Sequence, residues 1–474
     1  MTTIALLIPD GVGARNFLIG GFLPEAASVC DLACFHVVPD DLLCRYTNGL
    51  HDRVRWHPIV EFRQSLLSMT LQHTLGYAQM YWARTPAMQR ALSRPIRGSA
   101  RMRTFTRATR VLGRLIAGPR RMRVVARLHV RTAGASREAV HYEQLLRQLR
   151  PGVVFCSHQR PSIVVPAVIA ANRLGIPTAT FIFSWDNLTS KGRISAPFTH
   201  YLVWGDQMRM ELLHYYPDID PARVHVVGTP QFEPYADETI LLPRAEFFRR
   251  IGADPSRPLI CYSGGDAGTC PEDPDHLRVL MEHIRSGRIR HRPQVFVRPS
   301  PVDDGTRYQR VIRQFPELIF RLPQWIHATP GDWSRVVPLP EDVTFLANLV
   351  RHSDLNVNLG STMTIDFALN DKPVVNLAFD CAERPIFGMP VWEFYYGYDH
   401  FQPVIRFGAS RFARSREQLA EHVNAYLDDP SLDREGRRRL VELEIGVPIG
   451  RSCRRIVEVL QKIAIVGDSR CAST

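Results

Sequence analysis

The stretch LNVNLGSTMTIDFALNDKPVVNL, residues 355–377, decides the fold class of this chain. It begins with a short predicted strand at 355–358, passes through a glycine loop and a helical segment, and ends in an apolar run at 373–377. A strand followed by a crossover helix and a second strand is the unit from which parallel sheets are built. The stretch therefore predicts an α/β fold.

The same alternation continues on both sides of this stretch. Each apolar run is rich in β-branched or aromatic residues and bounded by Gly, Pro, Asp or Ser, as in strands buried on both faces of a parallel sheet. Between the two series, residues 228–242 are rich in Gly and Pro and break the pattern. We expect two Rossmann-like, doubly wound domains that face each other across a cleft. The other predicted strands are 4–8, 32–38, 153–156, 178–183, 201–204, 224–227, 259–262 and 294–297.

A chain of 474 residues is long enough for two domains. We place an N-terminal acceptor-binding domain at 1–235, a C-terminal nucleotide-donor-binding domain at 236–463 and a flexible polar tail at 464–474. The N-terminal domain contains an Arg-rich helical insertion, residues 84–131, with 14 arginines and no acidic residue. That insertion accounts for the formal net charge of +12.

The insertion mixes its arginines with Met, Leu, Ile and Val, and such basic amphipathic segments bind anionic lipid headgroups. A solvated helix face is the alternative interpretation. Nucleic-acid binding is not expected, because Phe105 is the only Phe, Tyr or Trp between Arg84 and Arg131 and base stacking needs more aromatic rings. The predicted partner of the insertion is an anionic membrane surface.

The remaining composition points to a reducing compartment. Nine cysteines include no CxxC pair, the N-terminus lacks the basic region of a signal peptide, and no apolar run reaches the roughly 18 residues of a membrane helix. We expect a cytoplasmic protein, with a peripheral position at the inner face of the cell membrane through the Arg-rich insertion.

Loops that could hold a nucleotide donor follow three strands of the C-terminal half. In open parallel sheets ligands bind at the carboxyl ends of the strands, where glycines, hydroxyls and backbone amides can hold a diphosphate and an arginine can neutralise it. The alternatives are an ordinary helix cap, a tight turn, and a salt bridge from the arginine to Asp303 or Asp304. The candidate donor-binding residues are Ser263, Gly264, Gly265, Arg298, Ser300, Gly360, Ser361, Thr362 and Asp366.

Two loops of the N-terminal half carry the candidate general bases. His158 follows one predicted strand and Asp186 follows the next, so both are expected at the same sheet edge, where either can deprotonate an acceptor hydroxyl. Neighbouring Gln159, Trp185 and Asn187 are the candidate acceptor-binding residues. A capping or structural role is the alternative for each loop residue.

The C-terminal residues also carry a family resemblance. The order and spacing of Ser353-Asp354, Ser361-Thr362, Asp366-Phe367, Lys372-Pro373 and Gly397–Val404 resemble bacterial CDP-glycerol glycerophosphotransferase-like and surface-polysaccharide transferases of the GT-B fold. The resemblance covers residues 340–430. It implies the GT-B fold, with the donor diphosphate bound at Ser361 and Thr362.

The N-terminal half has a resemblance of its own, and it favours sugar transfer. Residues 184–192 are similar to predicted bacterial surface-carbohydrate glycosyltransferases. The Trp-His-Gly type motif and the C-terminal His of the glycerophosphotransferases have no counterpart here, since Asn187 and its neighbours and Arg298-Pro-Ser300 occupy those places.

We therefore expect a glycosyltransferase that moves a sugar from a nucleotide-sugar donor to a hydroxyl of a glycan or lipid-linked acceptor, a precursor of a surface polysaccharide. No Asp-x-Asp pair follows a predicted strand as a metal site requires, so the sequence predicts a metal-independent enzyme without a cofactor. Three alternatives remain: a nucleotide-sugar 2-epimerase, a CDP-glycerol-type glycerophosphotransferase, and a non-catalytic protein that binds nucleic acid or membrane through its arginines.

Overall fold

The computed structural model describes residues 2–47, 53–327, 336–386 and 388–471. The chain divides into two compact units. Unit 1 comprises residues 1–231 and 444–474, and unit 2 comprises residues 232–443.

Unit 1 is built around a parallel sheet. Its strands are β1 (Thr3–Ile8), β2 (Asp31–His36), β3 (Val54–Pro58), β4 (Val153–Cys156), β5 (Thr178–Phe181), β6 (His200–Val203) and β7 (Val224–Val226). Its helices up to residue 231 are α1 (Gly11–Ala14), α2 (Phe22–Val29), α3 (Asp40–Thr47), α4 (Leu66–Ala83), α5 (Pro86–Ser93), α6 (Ala100–Ile116), α7 (Pro119–Gly134), α8 (Arg137–Leu149), α9 (Val165–Arg173), α10 (Asn187–Ser190) and α11 (Asp206–Tyr215). A π-helical turn covers Arg15–Ile19, and 3₁₀ turns cover Ser162–Val164 and Pro221–Arg223.

The strand order in unit 1 is β3-β2-β1-β4-β5-β6-β7, and every pairing is parallel. Ile4 of β1 lies in register with Leu32 on one side and Val153 on the other. Strands β2 and β3 therefore follow on the β1 side of the sheet, and β5, β6 and β7 follow on the β4 side. The place where the order reverses is the topological switch point, where doubly wound sheets bind their ligands.

The Arg-rich insertion forms α5, α6 and α7, which pack with α4. Leu75, Ala78 and Met122 form the small apolar cluster between α4 and α7. The contact with α6 is close, because a Cβ on Gly113 would lie 2.7 Å from the Cβ of Tyr77. The insertion is thus a helical layer with a small core of its own.

Unit 2 repeats the plan of unit 1. Its strands are β8 (Leu259–Ser263), β9 (Gln294–Arg298), β10 (Ile319–Phe320), β11 (Trp325–His327), β12 (Val336–Pro338), β13 (Leu355–Asn358), β14 (Val374–Leu377) and β15 (Arg411–Ala413). Its helices are α12 (Arg244–Ile251), α13 (Asp273–Arg285), α14 (Gln309–Gln314), α15 (Pro340–His352), α16 (Met363–Leu369), α17 (Val391–Tyr395), α18 (Gln402–Arg406), α19 (Arg416–Asp428) and α20 (Arg434–Glu444). The 3₁₀ turns are Pro230–Ala236, Thr306–Tyr308 and Asp399–Phe401.

The main sheet of unit 2 has the order β10-β9-β8-β13-β14-β15, again with parallel pairings throughout, and β11 and β12 form a separate antiparallel pair. The predicted pair of doubly wound α/β domains is confirmed. The strands that the sequence pattern missed include β3, β10 and β15, which lie at sheet edges. Edge strands are short and partly exposed, so they lack the continuous apolar run of a central strand.

The end of the chain corrects the predicted domain division. Helix α21 (Ser452–Cys471) belongs to unit 1 and packs against α2 and β4, so the assignment of residues 444–463 to the C-terminal domain is wrong. Ile456 and Leu460 of this helix are completely buried, because its apolar face packs on the core of unit 1. It also continues through residues 464–471, where a flexible tail is predicted; residues 472–474 lie outside the described residues.

Across the described ranges of both units, no helix has the length and apolarity needed to cross a bilayer.

Candidate functional site

A carboxylate and an imidazole meet at the switch point of unit 1. Asp10 follows β1, His158 follows β4, and Nδ1 of His158 hydrogen-bonds Oδ2 of Asp10. The other carboxylate oxygen accepts a hydrogen bond of 2.8 Å from the backbone N–H of Gly13. The Asp10 side chain is thereby fixed through both of its oxygens.

The hydrogen bond to Asp10 orients the His158 ring chemically. A carboxylate only accepts, so Nδ1 carries the proton and the free lone pair lies on Nε2. Among the described residues Nε2 has no hydrogen-bond partner, and the ring lies 4.4 Å from the ring centroid of Phe183. His158 is therefore arranged to accept a proton at Nε2.

Asp10 favours its ionised form although it is buried. Burial alone would raise the pKa of this carboxyl, but the charge and hydrogen bond of His158 and the amides of Gly13 and Val12 together lower that pKa. Asp10 is not among the residues that the sequence pattern predicts for a site. The available signal was an acid directly after the first strand, beside the turn Gly11-Val-Gly13, where a Cβ on Gly13 would lie 2.3 Å from Oγ of Ser157.

Asp186 lies in a different setting from His158. Its carboxylate accepts hydrogen bonds of 2.7 Å from Ser184 Oγ and 2.6 Å from Ser190 Oγ, and Lys191 Nζ lies 3.8 Å away. These partners belong to its own loop, so the carboxylate stabilises that loop. The geometry favours His158 over Asp186 as a general base.

The three candidate acceptor-binding residues are buried. Gln159 donates to Oδ1 of Asn187 at 2.8 Å and accepts from the backbone N–H of Phe183 at 3.2 Å. Trp185 is 4% exposed. The structure thus brings Gln159 and Asn187 together as a link between the loops after β4 and β5, which positions the His158 loop.

The switch point of unit 2 lies between β8 and β13, where Ser263 is paired with Asn358. A chain of buried asparagines connects the end of β8 to the loop after β13. Asn356 donates to Oγ of Ser263 at 2.8 Å, Asn358 donates to Oδ1 of Asn356 at 2.6 Å, and the backbone N–H of Ser361 donates to Oδ1 of Asn358 at 3.0 Å. Ser263 and Ser361, both predicted site residues, are joined through this network.

The network extends to the next strand. Asn376 donates to Oδ1 of Asn358 at 3.0 Å and accepts from Oγ of Ser410 at 2.5 Å. Buried polar chains of this kind rigidify what they connect when each member is paired. The asparagines are not among the predicted site residues; their signal in the sequence is an amide at alternate positions of otherwise apolar strands, such as Asn356 and Asn358.

The loop after β13 holds the candidate hydroxyls. Gly360 has φ +58, in the left-handed region that favours glycine. Ser361 Oγ accepts from the backbone N–H of Met363 at 3.2 Å, and Ser361 and Thr362 are half-buried. Asp366, in contrast, is buried and accepts a hydrogen bond from the hydroxyl of Tyr235, so its side chain serves the core of the unit.

The loop after β8 is held by a buried carboxylate. Asp273 accepts from the backbone N–H of Gly265 at 2.7 Å, and Arg307 donates to the carbonyl of Gly265 at 2.6 Å. Burial raises the pKa of Asp273 despite the nearby Arg307. A Cβ at Gly264 would lie 2.3 Å from the Tyr308 hydroxyl, and one at Gly265 would lie 2.4 Å from Sγ of Cys270, so close packing requires both glycines.

Arg298 does not present its guanidinium to an anion. It is buried in a two-point ion pair with Asp342, at 3.1 Å and 2.7 Å, and Asp342 also accepts from the indole of Trp325 at 2.7 Å. The predicted role in neutralising phosphate is therefore not supported, and the partner is not Asp303 or Asp304. Ser300 lies in the following turn, where its carbonyl accepts from the N–H of Asp303 at 2.9 Å.

In the described ranges no three His, Cys, Asp or Glu side chains are grouped so as to hold a metal ion. The metal-independent mechanism stays a prediction.

Comparison with known proteins gives a fold and no family. No protein-family model matches the chain, and no curated protein sequence matches it. The likeness to CDP-glycerol glycerophosphotransferases therefore stays a prediction.

Solved structures are similar over the full length. The UDP-GlcNAc 2-epimerase of Neisseria meningitidis, bound to UDP-GlcNAc, matches with a TM-score of 0.50 at 11% identity, covering 98% of this chain and 100% of that one. The UDP-GlcNAc 2-epimerase of Methanocaldococcus jannaschii matches with a TM-score of 0.52 at 10% identity, covering 97% and 99%. A 2-epimerase described as putative from Listeria monocytogenes matches with a TM-score of 0.53 at 11% identity, covering 97% and 96%. The chain has a GT-B-like fold with two Rossmann-like domains.

Proposed function

We propose that the protein is a nucleotide-sugar enzyme, with the nucleotide bound by unit 2. The observation that carries the proposal is the switch point between β8 and β13, where the asparagine network joins Ser263, at the end of β8, to the loop of Ser361. Doubly wound sheets bind nucleotides at this place. One solved structure of the same fold is bound to UDP-GlcNAc, which supports the same ligand class here.

The contacts of unit 2 suggest how a diphosphate is held. The half-buried hydroxyls of Ser361 and Thr362, just before α16, can donate to phosphate oxygens. In the described part of the chain the Thr362 hydroxyl has no hydrogen-bond partner. Thr362 is therefore the side chain to change in a test of donor binding.

A thermal-shift panel of UDP, CDP, GDP and their sugars tests nucleotide binding. A ligand at about 100 times its Kd adds about 2.7 kcal/mol to stability, so one nucleotide series should raise the Tm. Thr362→Val should weaken that series, while Thr306→Val, an exposed threonine of the same unit, should not. A flat panel across all nucleotides would refute the proposal.

The reaction that we propose for this enzyme is glycosyl transfer to a hydroxyl. Nε2 of His158 takes the proton of the acceptor hydroxyl, the acceptor oxygen forms a bond to the anomeric carbon, and the bond from that carbon to the diphosphate breaks. The electron pair of the broken bond leaves with the nucleoside diphosphate. Asp10 stabilises the imidazolium that forms, because its carboxylate is ionised and hydrogen-bonded to Nδ1.

Epimerisation at C2 of UDP-GlcNAc is the second candidate, and the match to three such epimerases favours it. This reaction needs no acceptor. Incubation with UDP-GlcNAc alone, followed by proton NMR, separates the two candidates. Formation of the 2-epimer without an acceptor supports the epimerase and contradicts the transferase.

For the transferase, we propose a lipid-linked or surface-glycan acceptor and a metal-independent reaction. The exposed arginines of α6 and α7 support a position at an anionic membrane surface. Activity that is lost in EDTA and restored by Mn²⁺ would contradict the metal-independent mechanism.

A further inference from the structure

Unit 1 contains a cavity of about 560 Å³ whose lining includes neither Asp10 nor His158. One wall is formed by α4 and α7, and the opposite wall by residues 193–199 and 215–223. The proposed transfer chemistry does not use this space.

The lining contains both apolar or aromatic side chains and polar ones. Leu75 and Met122 are buried where α4 and α7 meet, and Trp82, Phe198 and Tyr201 complete an apolar surface. A pocket of this composition buries a hydrocarbon chain or ring favourably.

The cavity also contains cationic groups. Arg193 and Arg223 line it, and neither has a carboxylate ion-pair partner within the described ranges. Arg193 is held in place by a hydrogen bond of 3.2 Å to Gln79 and lies 5.5 Å from the centroid of the Tyr216 ring. A third arginine of the lining, Arg123, is already paired with Asp218. Two guanidinium groups without a carboxylate partner among the described residues therefore line the cavity, together with the carboxylate of Asp220, which accepts a hydrogen bond of 2.9 Å from the backbone N–H of Ala222.

A buried histidine in the same wall has an unused polar atom. His129 lines the cavity and is 4% exposed, and its Nε2 has no hydrogen-bond partner among the described residues. An unpaired buried polar atom is costly unless a ligand or water satisfies it. Burial lowers the pKa of His129, so the ring is neutral and can donate one hydrogen bond to an anion through Nε2.

The cavity is connected to both other features of unit 1. Ser195, on its wall, donates to the carbonyl of Gln159 at 3.1 Å, and Gln159 is adjacent to His158. On the other side, α7 exposes Val124 and Leu128 to solvent. The cavity wall thus extends from an apolar, basic surface to the loop of the candidate base.

We propose that this cavity binds a lipid phosphate, with the phosphate near Arg193, Arg223 and His129 and the hydrocarbon chain against Leu75, Trp82 and Met122. The choice of a phosphate headgroup rests on the proposed lipid-linked acceptor. The cavity and its charges do not depend on that function, so binding can be tested without a donor.

The probe is farnesyl phosphate below its micelle concentration, titrated calorimetrically into the full chain. Farnesol and inorganic phosphate are the comparison ligands. Farnesyl phosphate should bind one to one, and both comparison ligands should bind at least tenfold more weakly. Equally tight binding of inorganic phosphate would replace the proposal with a plain anion site, and equally tight binding of farnesol would replace it with an apolar pocket.

Two variants test the location. Ala126→Trp fills the cavity and should abolish binding, and the double variant Arg193→Gln with Arg223→Gln should weaken binding at least tenfold. The matched control is Arg114→Gln with Arg120→Gln, two exposed arginines of the insertion outside the lining. Equal loss in the control would show adsorption to the arginine surface and overturn the proposal, as would unchanged binding in the arginine pair of the cavity.

Folding and donor binding are measured on the same proteins. If Ala126→Trp does not melt cooperatively, the two arginine pairs decide the result. A variant that loses farnesyl phosphate while its nucleotide-induced Tm shift remains supports the cavity site. A wild-type protein that binds farnesyl phosphate without any nucleotide response refutes the proposed function and leaves the cavity site in place.

Discussion

At the scale of single residues, the hydrogen bond between Asp10 and His158 gives the most direct test of the proposed chemistry. Asp10→Asn keeps the shape of the side chain but removes its charge, and the new amide can donate to Nδ1 and move the proton to Nε2. We expect kcat/KM to fall on the order of a hundredfold, measured with the nucleotide sugar that the thermal panel identifies. Asp186→Asn is the control; a larger loss there would identify Asp186 as the base.

The same pair predicts an acid dependence of stability. The pKa of Asp10 is lowered in the folded protein, so its ionisation stabilises the fold above the unfolded value of 3.8 and this contribution is lost as pH falls through the folded pKa. We expect the Tm difference between wild type and Asp10→Asn to be largest above pH about 4 and to shrink below it. A difference that is constant with pH would contradict the ionised pair.

Arg298 gives a second prediction at this scale. Arg298→Met leaves Asp342 buried without its ion-pair partner. Breaking such a pair lowers the free energy of unfolding by about 3 to 5 kcal/mol, which is measured as a lower midpoint of urea denaturation. The control is Arg285→Met, which breaks an equally two-pointed pair with Glu317 at the surface and should change stability far less. If Arg298→Met is as stable as that control but loses nucleotide binding, the result would support the prediction that Arg298 neutralises the phosphate charge.

At the scale of elements, the proposed membrane contact depends on the exposed arginines of α7. Arg120, Arg121 and Arg127 are exposed on this helix. Basic residues near an anionic surface contribute about 1 kcal/mol each, so changing all three to Gln should weaken binding to anionic liposomes on the order of a hundredfold in co-sedimentation.

The control for this prediction lies in α20. Arg434, Arg438 and Arg439 are equally exposed but paired with acidic neighbours, and the same three changes there alter the net charge by the same amount. Equal weakening by both triplets would show that net charge, and not α7, governs the binding.

At the scale of the whole molecule, α21 makes unit 1 depend on both ends of the chain. A fragment of residues 1–235 lacks the helix that covers α2 and β4 and should melt earlier, or not cooperatively, compared with a fusion of residues 1–231 and 444–471. Circular dichroism measures this. Equal melting of the two fragments would mean that α21 contributes little to the core.

Much of the fold was predictable because its signals are local. The strand at 355–358, the helical segment after the glycine loop and the strand at 373–377 are each predicted from neighbouring residues. The structure has β13, α16 and β14 at these places. The sequence also indicates the loops of the site, since Ser263, Ser361 and His158 follow strands whose carboxyl ends are where ligands bind. Charge in residues 84–131 is equally a property of sequence alone.

The partners of these residues were decided only by tertiary structure. Asp10 and His158 are 148 positions apart, and Arg298 and Asp342 are 44 apart, distances over which periodicity carries no information. The same holds for α21, whose apolar face predicts a helix but not which of two similar cores receives it. Sequence thus determined the elements and the loops that follow them, because those depend on neighbouring residues. Packing determined that Arg298 is neutralised internally and that Asp10 belongs to the site, because such contacts exist only once distant strands lie side by side.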